Sequence, residues 1–362
     1  MSLTLTVDGE RWRRHLLDVV RAHPGIVPVA KGNGYGLTIG RLARRTQWLD
    51  EQVRAGDPPA RVDLLAVGTY AELEHVATRY DGDLLVLTPW RPFGAALDLP
   101  PTLSSRVVHT VSRTDDVAAL GAHQPGARFV LEQLTSMRRH GMTRRELRQA
   151  AEALPTSGLG RLEGIAQHFP LNTTSHLSEV ERLVNDVVAS GLATRTVFVS
   201  HLRADELARL GRAFPEFTFR PRIGTQLWLG DRQALRVSAT VLDVHAVERG
   251  DVYGYRGRTA PRRGHVLVVS GGTAHGIGLE APTGDSSLKS RAAAIARGGL
   301  DAAGFVRSPF SIDGKQRLFA EPPHMQASML FLPEGSRVPA VGDEIDVRVR
   351  FTATDVDRVL IT

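Results

Sequence analysis

A strand-like run leads directly into a glycine-rich turn in the stretch Val27-Pro28-Val29-Ala30-Lys31-Gly32-Asn33-Gly34-Tyr35-Gly36. The first four residues are apolar enough for a buried strand, which would carry Lys31 at its end. Partial burial would remove solvation from the amine and favour its neutral form, as Schiff-base chemistry with an aldehyde cofactor requires. The alternative is a lysine that points into water beside an ordinary turn. The local pattern leaves both interpretations open.

The composition is that of a globular protein without cysteine chemistry. The 362 residues are 42% hydrophobic and 23% charged, which argues against disorder and allows two domains. Because the chain has no cysteine, disulfides, thiolate metal sites and cysteine nucleophiles are excluded. No convincing cluster of other metal ligands is visible, and we expect no metal site.

The net charge of +6 raises the question of a nucleic-acid partner. Basic pairs occur at Arg13-Arg14, Arg44-Arg45, Arg144-Arg145 and Arg262-Arg263. They are scattered among acidic residues, lack interleaved aromatic residues, and match no motif that binds DNA or RNA. We interpret them as solvated helix faces and expect no nucleic-acid partner.

The N-terminal sequence gives no indication of export. Residues 1–8 alternate like a strand and lack the basic start and long apolar core of a signal peptide. No segment approaches the apolar length of a membrane helix. We therefore expect a cytoplasmic location and no membrane association.

Short apolar runs alternate with amphipathic helical stretches from about residue 10 to residue 230. The candidate strands are 25–30, 63–67, 83–87, 107–111, 128–132, 162–168, 196–201 and 217–223. The helical segments between them include 38–49, 70–78, 113–120, 143–154, 177–190 and 204–214. Eight such βα units close into a barrel. We predict an α/β fold with a (β/α)8 barrel, residues 8–232, followed by a mostly β C-terminal domain, residues 233–362.

The C-terminal part of the chain reads as strands separated by Gly, Pro and Asp turns. The strand-like runs are 236–247, 265–270, 326–332 and 344–351, and residues 1–7 could join this domain. The glycine-rich stretch 271–278 lacks the lysine and the strand-to-helix setting of a nucleotide-binding loop. We interpret it as a tight turn.

Polar residues lie at or near the ends of five predicted barrel strands, namely Lys31, Glu132, His168, Ser200 and Arg222. The carboxyl ends of barrel strands share one face, where active sites are found. One site could therefore hold all five side chains.

The segment from Ala30 to Gly36 is similar to the cofactor-lysine motif V-K-A-N-A-Y-G of the alanine racemase family, the fold-type III pyridoxal phosphate enzymes. Here alanine precedes the lysine, and glycines replace both alanines after it. The resemblance implies that Lys31 holds pyridoxal 5'-phosphate and acts as a catalytic base. It also implies that Tyr35 hydrogen-bonds the cofactor phosphate.

A second similarity covers residues 135–142, Thr-Ser-Met-Arg-Arg-His-Gly-Met, which resemble T-G-M-G-R-L-G-M of the family. It places Arg139 where the family has an arginine that faces the cofactor's phenolic oxygen, next to the substrate. In the family, a lysine shortly before that arginine is often carbamylated. The matching residue here is Glu132, whose carboxylate could pair with Arg139.

Further similarities add cofactor-binding residues. His168-Phe169 resembles the family's H-F and implies that His168 packs against the cofactor ring, and Ser200 is expected to reach the phosphate. Arg222-Ile223-Gly224-Thr225 resembles R-x-G-I. It implies that Arg222 faces the pyridine nitrogen, with Arg220 as the competing choice. The backbone N–H groups of Gly224 and Thr225 would then cradle the phosphate.

The C-terminal domain matches the family less closely. The segment 253–260 resembles the one that carries the catalytic tyrosine, and its flanking residues favour Tyr255, with Tyr253 as the alternative. His324-Met325-Gln326 stands where the family has M-D-Q, so Met325 is expected to help hold the substrate carboxylate although the aspartate is missing. Residues 351–362 contain no counterpart of a late phosphate-binding tyrosine.

The function implied by the resemblance is two-base racemisation of an amino acid. Lys31 would act on one face of Cα and Tyr255 on the other. In the family the tyrosine and the methionine come from the partner subunit, so the resemblance also implies a homodimer. The alternatives are a different amino-acid substrate or reaction on the same fold, and a descendant that binds the cofactor without catalysis.

Overall fold

The computed structural model describes residues 2–56, 61–171, 175–279 and 306–362. These residues form two compact units. One unit is Arg13–Gly230, and the other combines the N-terminal residues up to Trp12 with Asp231–Thr362. The predicted fold class, a (β/α)8 barrel followed by a mostly β domain, is confirmed.

Strands and helices alternate through the first 230 residues. In chain order they are β1 (Leu3–Val7), α1 (Gly9–Ala22), β2 (Val27–Ala30), α2 (Ile39–Arg54), β3 (Leu64–Val67), α3 (Leu73–Ala77), β4 (Asp83–Val86), β5 (Val107–Val111), α4 (Thr114–His123), β6 (Arg128–Gln133), α5 (Arg144–Ala153), β7 (Leu162–Gln167), α6 (Leu177–Ser190), β8 (Thr196–Val199), α7 (Ala204–Ala213), β9 (Thr218–Ile223) and α8 (Thr225–Leu229). Strands β2 to β9 are parallel and close into a barrel. None of the described helices is long and apolar enough to cross a bilayer.

The prediction of secondary structure was accurate for the barrel strands and less so at their ends. The runs 162–168 and 196–201 were predicted to be strands throughout, but β7 ends at Gln167 and β8 at Val199. His168 and Ser200 therefore lie directly after their strands, where side chains of a barrel reach the site. The segment 70–78 was predicted to be one helix, but it begins as a 3-10 turn, Tyr70–Glu72, before α3.

Strands dominate the second unit. They are β10 (Leu235–Val247), β11 (Val252–Tyr253), β12 (Arg258–Thr259), β13 (Gly264–Ser270), β14 (Arg307–Ile312), β15 (Lys315–Phe319), β16 (Ala327–Pro333), β17 (Glu344–Val347) and β18 (Arg358–Ile361). Eight of the described strands form a sheet in the order β13-β16-β15-β14-β17-β10-β1-β18. The opening strand pairs antiparallel with β10, with Leu3 opposite Ala239. The run 344–351 was predicted too long, because β17 ends at Val347.

The glycine-rich stretch after β13 forms a tight turn. It contains a 3-10 helix, Thr273–His275, that ends at Gly276 in the left-handed conformation, with φ of +78°. Nδ1 of His275 accepts the N–H of Gly272 at 3.2 Å, and Nε2 donates to Oδ1 of Asp357 at 3.1 Å. The buried side chain of His275 therefore stabilises the turn.

Candidate active site

The polar residues at the strand ends form a layer above the apolar interior of the barrel. That interior contains Val27, Val29, Leu64, Ala66, Leu85, Val108, Val130, Ala166 and Phe198. Side chains along a strand alternate between its two faces, so positions two residues further on also face inwards. Four such positions are occupied by Lys31, Glu132, His168 and Ser200.

The turn after β2 has a backbone that requires glycine. Gly34 has φ of +64°, and an added Cβ would lie 2.4 Å from the backbone nitrogen of Ile39. Tyr35 follows with φ of +57°, and its N–H donates to Oδ1 of Asn33 at 3.0 Å. These constraints fix the direction in which the buried ring of Tyr35 leaves the turn.

Glu72 connects this turn to the end of β3, and the sequence analysis missed it. Its carboxylate accepts the N–H of Gly32 at 2.8 Å, of Gly68 at 2.5 Å and of Thr69 at 3.1 Å. The Thr-x-x-Glu spacing of residues 69–72 is that of a capping box and is the signal that could have identified it. Glu72 therefore joins the turn that follows Lys31 to the backbone that follows β3.

Lys31 lies at the mouth of the barrel in an electropositive environment. Neighbouring residues remove part of its hydration, and this desolvation lowers the pKa of Lys31. The charges of Arg139 and Arg222 lower the pKa further, and that of Glu72 opposes them. The residue as a whole remains exposed to solvent. Its environment therefore favours the neutral, nucleophilic form.

Tyr35 and Gly224 approach each other closely, since a Cβ added to Gly224 would lie 2.0 Å from the Tyr35 hydroxyl oxygen. The ring of Tyr35 is 5% exposed, and burial, followed by the charge of Glu72, raises the pKa of its hydroxyl to about 12. The hydroxyl is therefore a neutral hydrogen-bonding group at ordinary pH. Gly224 and Thr225 lie at the start of α8, directly after β9.

Arg222 is buried at the end of β9, with 8% of its surface exposed. One terminal nitrogen donates to the carbonyl oxygen of Gln167 at 2.9 Å, and Nε has no hydrogen-bond partner. Burial lowers the pKa of Arg222 to about 10, an effect that the charge of Glu132 opposes and that of Arg139 reinforces. A buried guanidinium with a free donor is equipped to bind an acceptor.

Glu132 does not form the contact that was expected of it. Its carboxylate is 4% exposed, Oε2 has no partner, and no ion pair within 4 Å joins it to Arg139 among the described residues. The physical reason is that Arg139 lies on an exposed segment after β6, whereas Glu132 is inside the barrel. Burial raises the pKa of Glu132, and Arg222, then Arg139, then Arg91 oppose this effect.

Arg220 and Arg222 lie at different positions along strand β9. Arg220 donates from Nε to the carbonyl oxygen of Gly25 at 3.1 Å and pairs with Asp63, both of which precede barrel strands. Its guanidinium lies over the ring of Phe198, 5.5 Å from the centroid. Arg220 therefore lies at the amino end of the barrel, and Arg222 is the arginine beside Lys31.

His168 and Ser200 form a hydrogen-bonded pair. Their side chains meet at 2.7 Å between Nδ1 and Oγ, and Oγ also accepts the N–H of Phe169 at 3.2 Å. Burial, together with the charges of Arg222, Arg139, His201 and Lys31, lowers the pKa of His168 to about 3. The imidazole is therefore neutral at ordinary pH, and its Nδ1 can accept the hydroxyl proton of Ser200.

His201 is a second residue of the site that the sequence analysis missed. Its ring centroid lies 5.3 Å from that of His168, and its backbone has φ of +59°. Burial, and then the charge of Arg222, lowers the pKa of His201. The only available signal was its position directly after Ser200.

Comparison with known proteins identifies the family. A sequence model of the N-terminal domain of alanine racemase matches residues 7–202. The chain belongs to the alanine racemase family. No curated protein sequence gives a significant match.

Solved alanine racemases share the fold of this family member at low sequence identity. The enzyme from Bartonella henselae, with covalently bound pyridoxal phosphate, aligns with a TM-score of 0.71 and 15% identity over 100% of both chains. That of Clostridium difficile 630 gives 0.68 and 16%, covering 96% of this chain and 87% of its own. That of Bacillus anthracis with bound L-Ala-P gives 0.66 and 18%, covering 95% and 85%. The chain thus has the fold of the fold-type III pyridoxal phosphate proteins.

The remaining predicted residues of this racemase-family chain lie in the second unit. Tyr253 is half-buried beside a small cluster of Val247, Ala260 and Val266. Tyr255 is 92% exposed on the turn between β11 and β12, and Met325 is 70% exposed before β16. Of the two tyrosines, Tyr255 has the side chain that is free to reach another molecule.

The barrel residues fit pyridoxal phosphate chemically. Lys31 supplies an accessible amine, and the unpartnered Nε–H of Arg222 supplies a donor for a ring nitrogen. Hydroxyl and backbone donors from Tyr35, Ser200 and Gly224 suit a phosphate. Among the described residues, no group of three or more His, Cys, Asp or Glu could hold a metal ion.

Proposed function

We propose that the protein is a pyridoxal-phosphate-dependent amino-acid racemase that acts as a homodimer. The observation that carries the proposal is the placement of Lys31, with a lowered pKa, beside the buried Arg222, whose Nε–H has no partner. When bound, pyridoxal phosphate withdraws electrons from the substrate and acidifies its Cα–H bond. All other steps belong to residues of this chain.

Several residues would bind and orient the cofactor. Tyr35, Ser200 and the backbone N–H groups of Gly224 and Thr225 would bind the phosphate, and His168 would pack against the ring. Since His168 is neutral, the Ser200 hydroxyl can turn from Nδ1 to a phosphate oxygen without leaving an unpaired charge. Arg222 would donate to the ring nitrogen. A permanent cation there disfavours protonation of that nitrogen, which discourages side reactions.

Lys31 would remove or return the proton on one face of Cα. Its lowered pKa increases the fraction of neutral amine, which is the form that accepts a proton. Glu72 would help to keep the amine in place, because its three backbone hydrogen bonds join the turn after Lys31 to the end of the neighbouring strand β3.

Tyr255 would act on the opposite face. Its 92% exposure and the packing of Tyr253 into a cluster support this choice of register. The exposed Tyr255 and Met325 would complete the barrel site of a second copy of the chain, and Met325 and Arg139 would hold the substrate carboxylate. A different amino-acid substrate is the second candidate, because Gln326 follows Met325 where the family has aspartate.

A hydrogen-exchange assay tests this function. The protein is loaded with cofactor and incubated in deuterium oxide with D- and L-forms of each amino acid, and both Cα deuteration and inversion are followed. We expect both signals for at least one amino acid. Tyr255→Phe should lose inversion and keep Cα deuteration only for the enantiomer whose proton faces Lys31. Normal inversion by Tyr255→Phe would reject Tyr255, with Tyr253→Phe as the companion variant. Absence of exchange for every amino acid would reject the racemase.

A further inference from the structure

Glu321 is a buried carboxylate in the second unit with an unusual set of partners. It is 2% exposed and lies between β15 and β16. Its oxygens accept the backbone N–H of Tyr255 at 3.0 Å and of Arg256 at 3.3 Å, and Nε2 of His324 lies 2.7 Å from Oε1. Three donors on one carboxylate compensate for the loss of its hydration.

The turn that carries Tyr255, residues 254–257, packs directly against this carboxylate. Gly254 has φ of +73°, and an added Cβ would lie 2.5 Å from the carboxyl carbon of Glu321. The N–H of Gly257 donates to the carbonyl oxygen of Gly254 at 3.2 Å and completes the turn. Glu321 therefore holds the backbone of Tyr255 while the side chain stays exposed.

The segment that carries Met325 is braced from its other side. The carbonyl oxygens of His324 and Met325 accept the N–H groups of Thr273 and Ala274 at 2.8 and 2.9 Å. The glycine-rich turn can approach this closely because a Cβ on Gly272 would lie 2.2 Å from the oxygen of His324. The glycine-rich turn thus holds the segment 324–325, and Glu321 joins the turn that carries Tyr255 to this segment.

We propose that Glu321 is a positioning residue that sets the place of Tyr255 relative to the Met325 segment. The inference rests on the proposed function, in which Tyr255 meets Cα of the substrate while Met325 meets its carboxylate. Both ends of the substrate are then held by one assembly, so the distance between the proton-transferring hydroxyl and the carboxylate is preset. Glu321 itself touches neither substrate nor cofactor in this proposal.

Amide hydrogen exchange of the protein without substrate measures how firmly Glu321 holds the backbone of Tyr255 and Arg256. In Glu321→Ala we expect peptides that contain Tyr255 and Arg256 to exchange at least tenfold faster, while barrel peptides are unchanged. The matched control is Glu334→Ala, whose carboxylate is exposed in the same unit. Unchanged exchange at Tyr255 and Arg256 in Glu321→Ala would overturn the proposal whatever the enzyme does.

Proton exchange at Cα separates positioning from a general loss of structure. We expect Glu321→Ala to slow exchange at least tenfold for the enantiomer that depends on Tyr255, and to change exchange of the other enantiomer by less than twofold. The double variant Glu321→Ala/Tyr255→Phe should be no slower than Tyr255→Phe alone. Glu321→Gln, which keeps one acceptor oxygen, should recover part of the rate.

Two results would overturn the positioning role. One is an equal loss of the Cα exchange rate for both enantiomers in Glu321→Ala. The other is a double variant whose exchange rate falls by the product of the two single effects. Failure of the proposed function is a different result, because a wild-type protein that exchanges no Cα proton fails before any variant is compared.

Discussion

The hydroxyl of Tyr35 fills the space that a side chain at position 224 would need. A Cβ built on Gly224 would lie 2.0 Å from that hydroxyl oxygen and 2.8 Å from the ring carbon that bears it. The tyrosine comes from the turn after β2, and the glycine lies between β9 and α8. This contact joins the first and last strands of the barrel at the expected phosphate site.

Gly224→Ala should weaken cofactor binding. Because the added methyl group displaces the Tyr35 hydroxyl, we expect the Kd for pyridoxal phosphate to rise at least tenfold, as measured by titration. Gly211→Ala is the control, since Gly211 lies in α7 with nothing within 4 Å of an added Cβ. That change should leave the Kd unchanged and stabilise the helix by about 1 kcal/mol or less. Equal Kd values for both variants would contradict the account.

Glu132 and Arg222 should be energetically coupled in the protein without cofactor. Arg222→Met removes the largest favourable charge on the buried Glu132 carboxylate and the donor to the Gln167 carbonyl oxygen, so we expect a loss of about 1–3 kcal/mol in the free energy of unfolding. In a double-mutant cycle with Glu132→Gln, the combined loss should be smaller than the sum by at least ~1 kcal/mol. Additive losses in urea unfolding would show that the two side chains do not stabilise each other.

Removing the charge of Glu72 should shift the reactivity of Lys31. Since Glu72 opposes the lowering of the Lys31 pKa, Glu72→Gln should lower that pKa further. The pH midpoint for labelling Lys31 with an amine-reactive probe would move to lower pH. Glu74→Gln, with an exposed carboxylate, is the control and should not move it. A shift to higher pH would contradict the electrostatic argument.

His109 should make the protein less stable in acid. It is 0% exposed, its Nδ1 lies 2.8 Å from the hydroxyl of Tyr70, and burial lowers its pKa from 6.5 to about 4. Between those values the unfolded state binds a proton that the folded state excludes, so stability falls as the pH falls through this window. The loss is at most ~3 kcal/mol and does not grow below the folded pKa.

His109→Gln should remove this part of the pH dependence, as measured by unfolding between pH 7 and pH 4. The matched control is His245→Gln, because His245 has a side chain that is 59% exposed. It should retain the wild-type slope. If His109→Gln also retains the wild-type slope, the folded state does not hold His109 in its neutral form.

The barrel could be predicted because its strands are continuous apolar runs, and the positions of Lys31 and Glu132 at strand ends already predicted that they lie on one shared face. His168 and Ser200 were identified for the same reason. Strands β14 and β15 were missed, since their sequences mix polar and apolar residues without a continuous apolar run.

Contacts between distant segments could not be read from the sequence. Glu321 acts through backbone N–H groups far from it in the chain, as Glu72 does at Gly32, and such a distant backbone donor leaves no residue pattern. Glu132 was expected to pair with Arg139 because it stands where the family has a carbamylated lysine before the matching arginine. Arg139 lies on an exposed segment after β6, and the largest favourable charge on Glu132 comes from Arg222, on another strand.

The most direct measurement is the site at which pyridoxal phosphate attaches. The chain contains three lysines, Lys31, Lys289 and Lys315, so borohydride reduction followed by peptide mapping gives an unambiguous assignment. We predict a stoichiometric reduced adduct on Lys31, with loss of the visible absorbance band on reduction and no band in Lys31→Arg. A wild-type protein with no adduct on Lys31, or with one only on Lys289 or Lys315, would contradict the account.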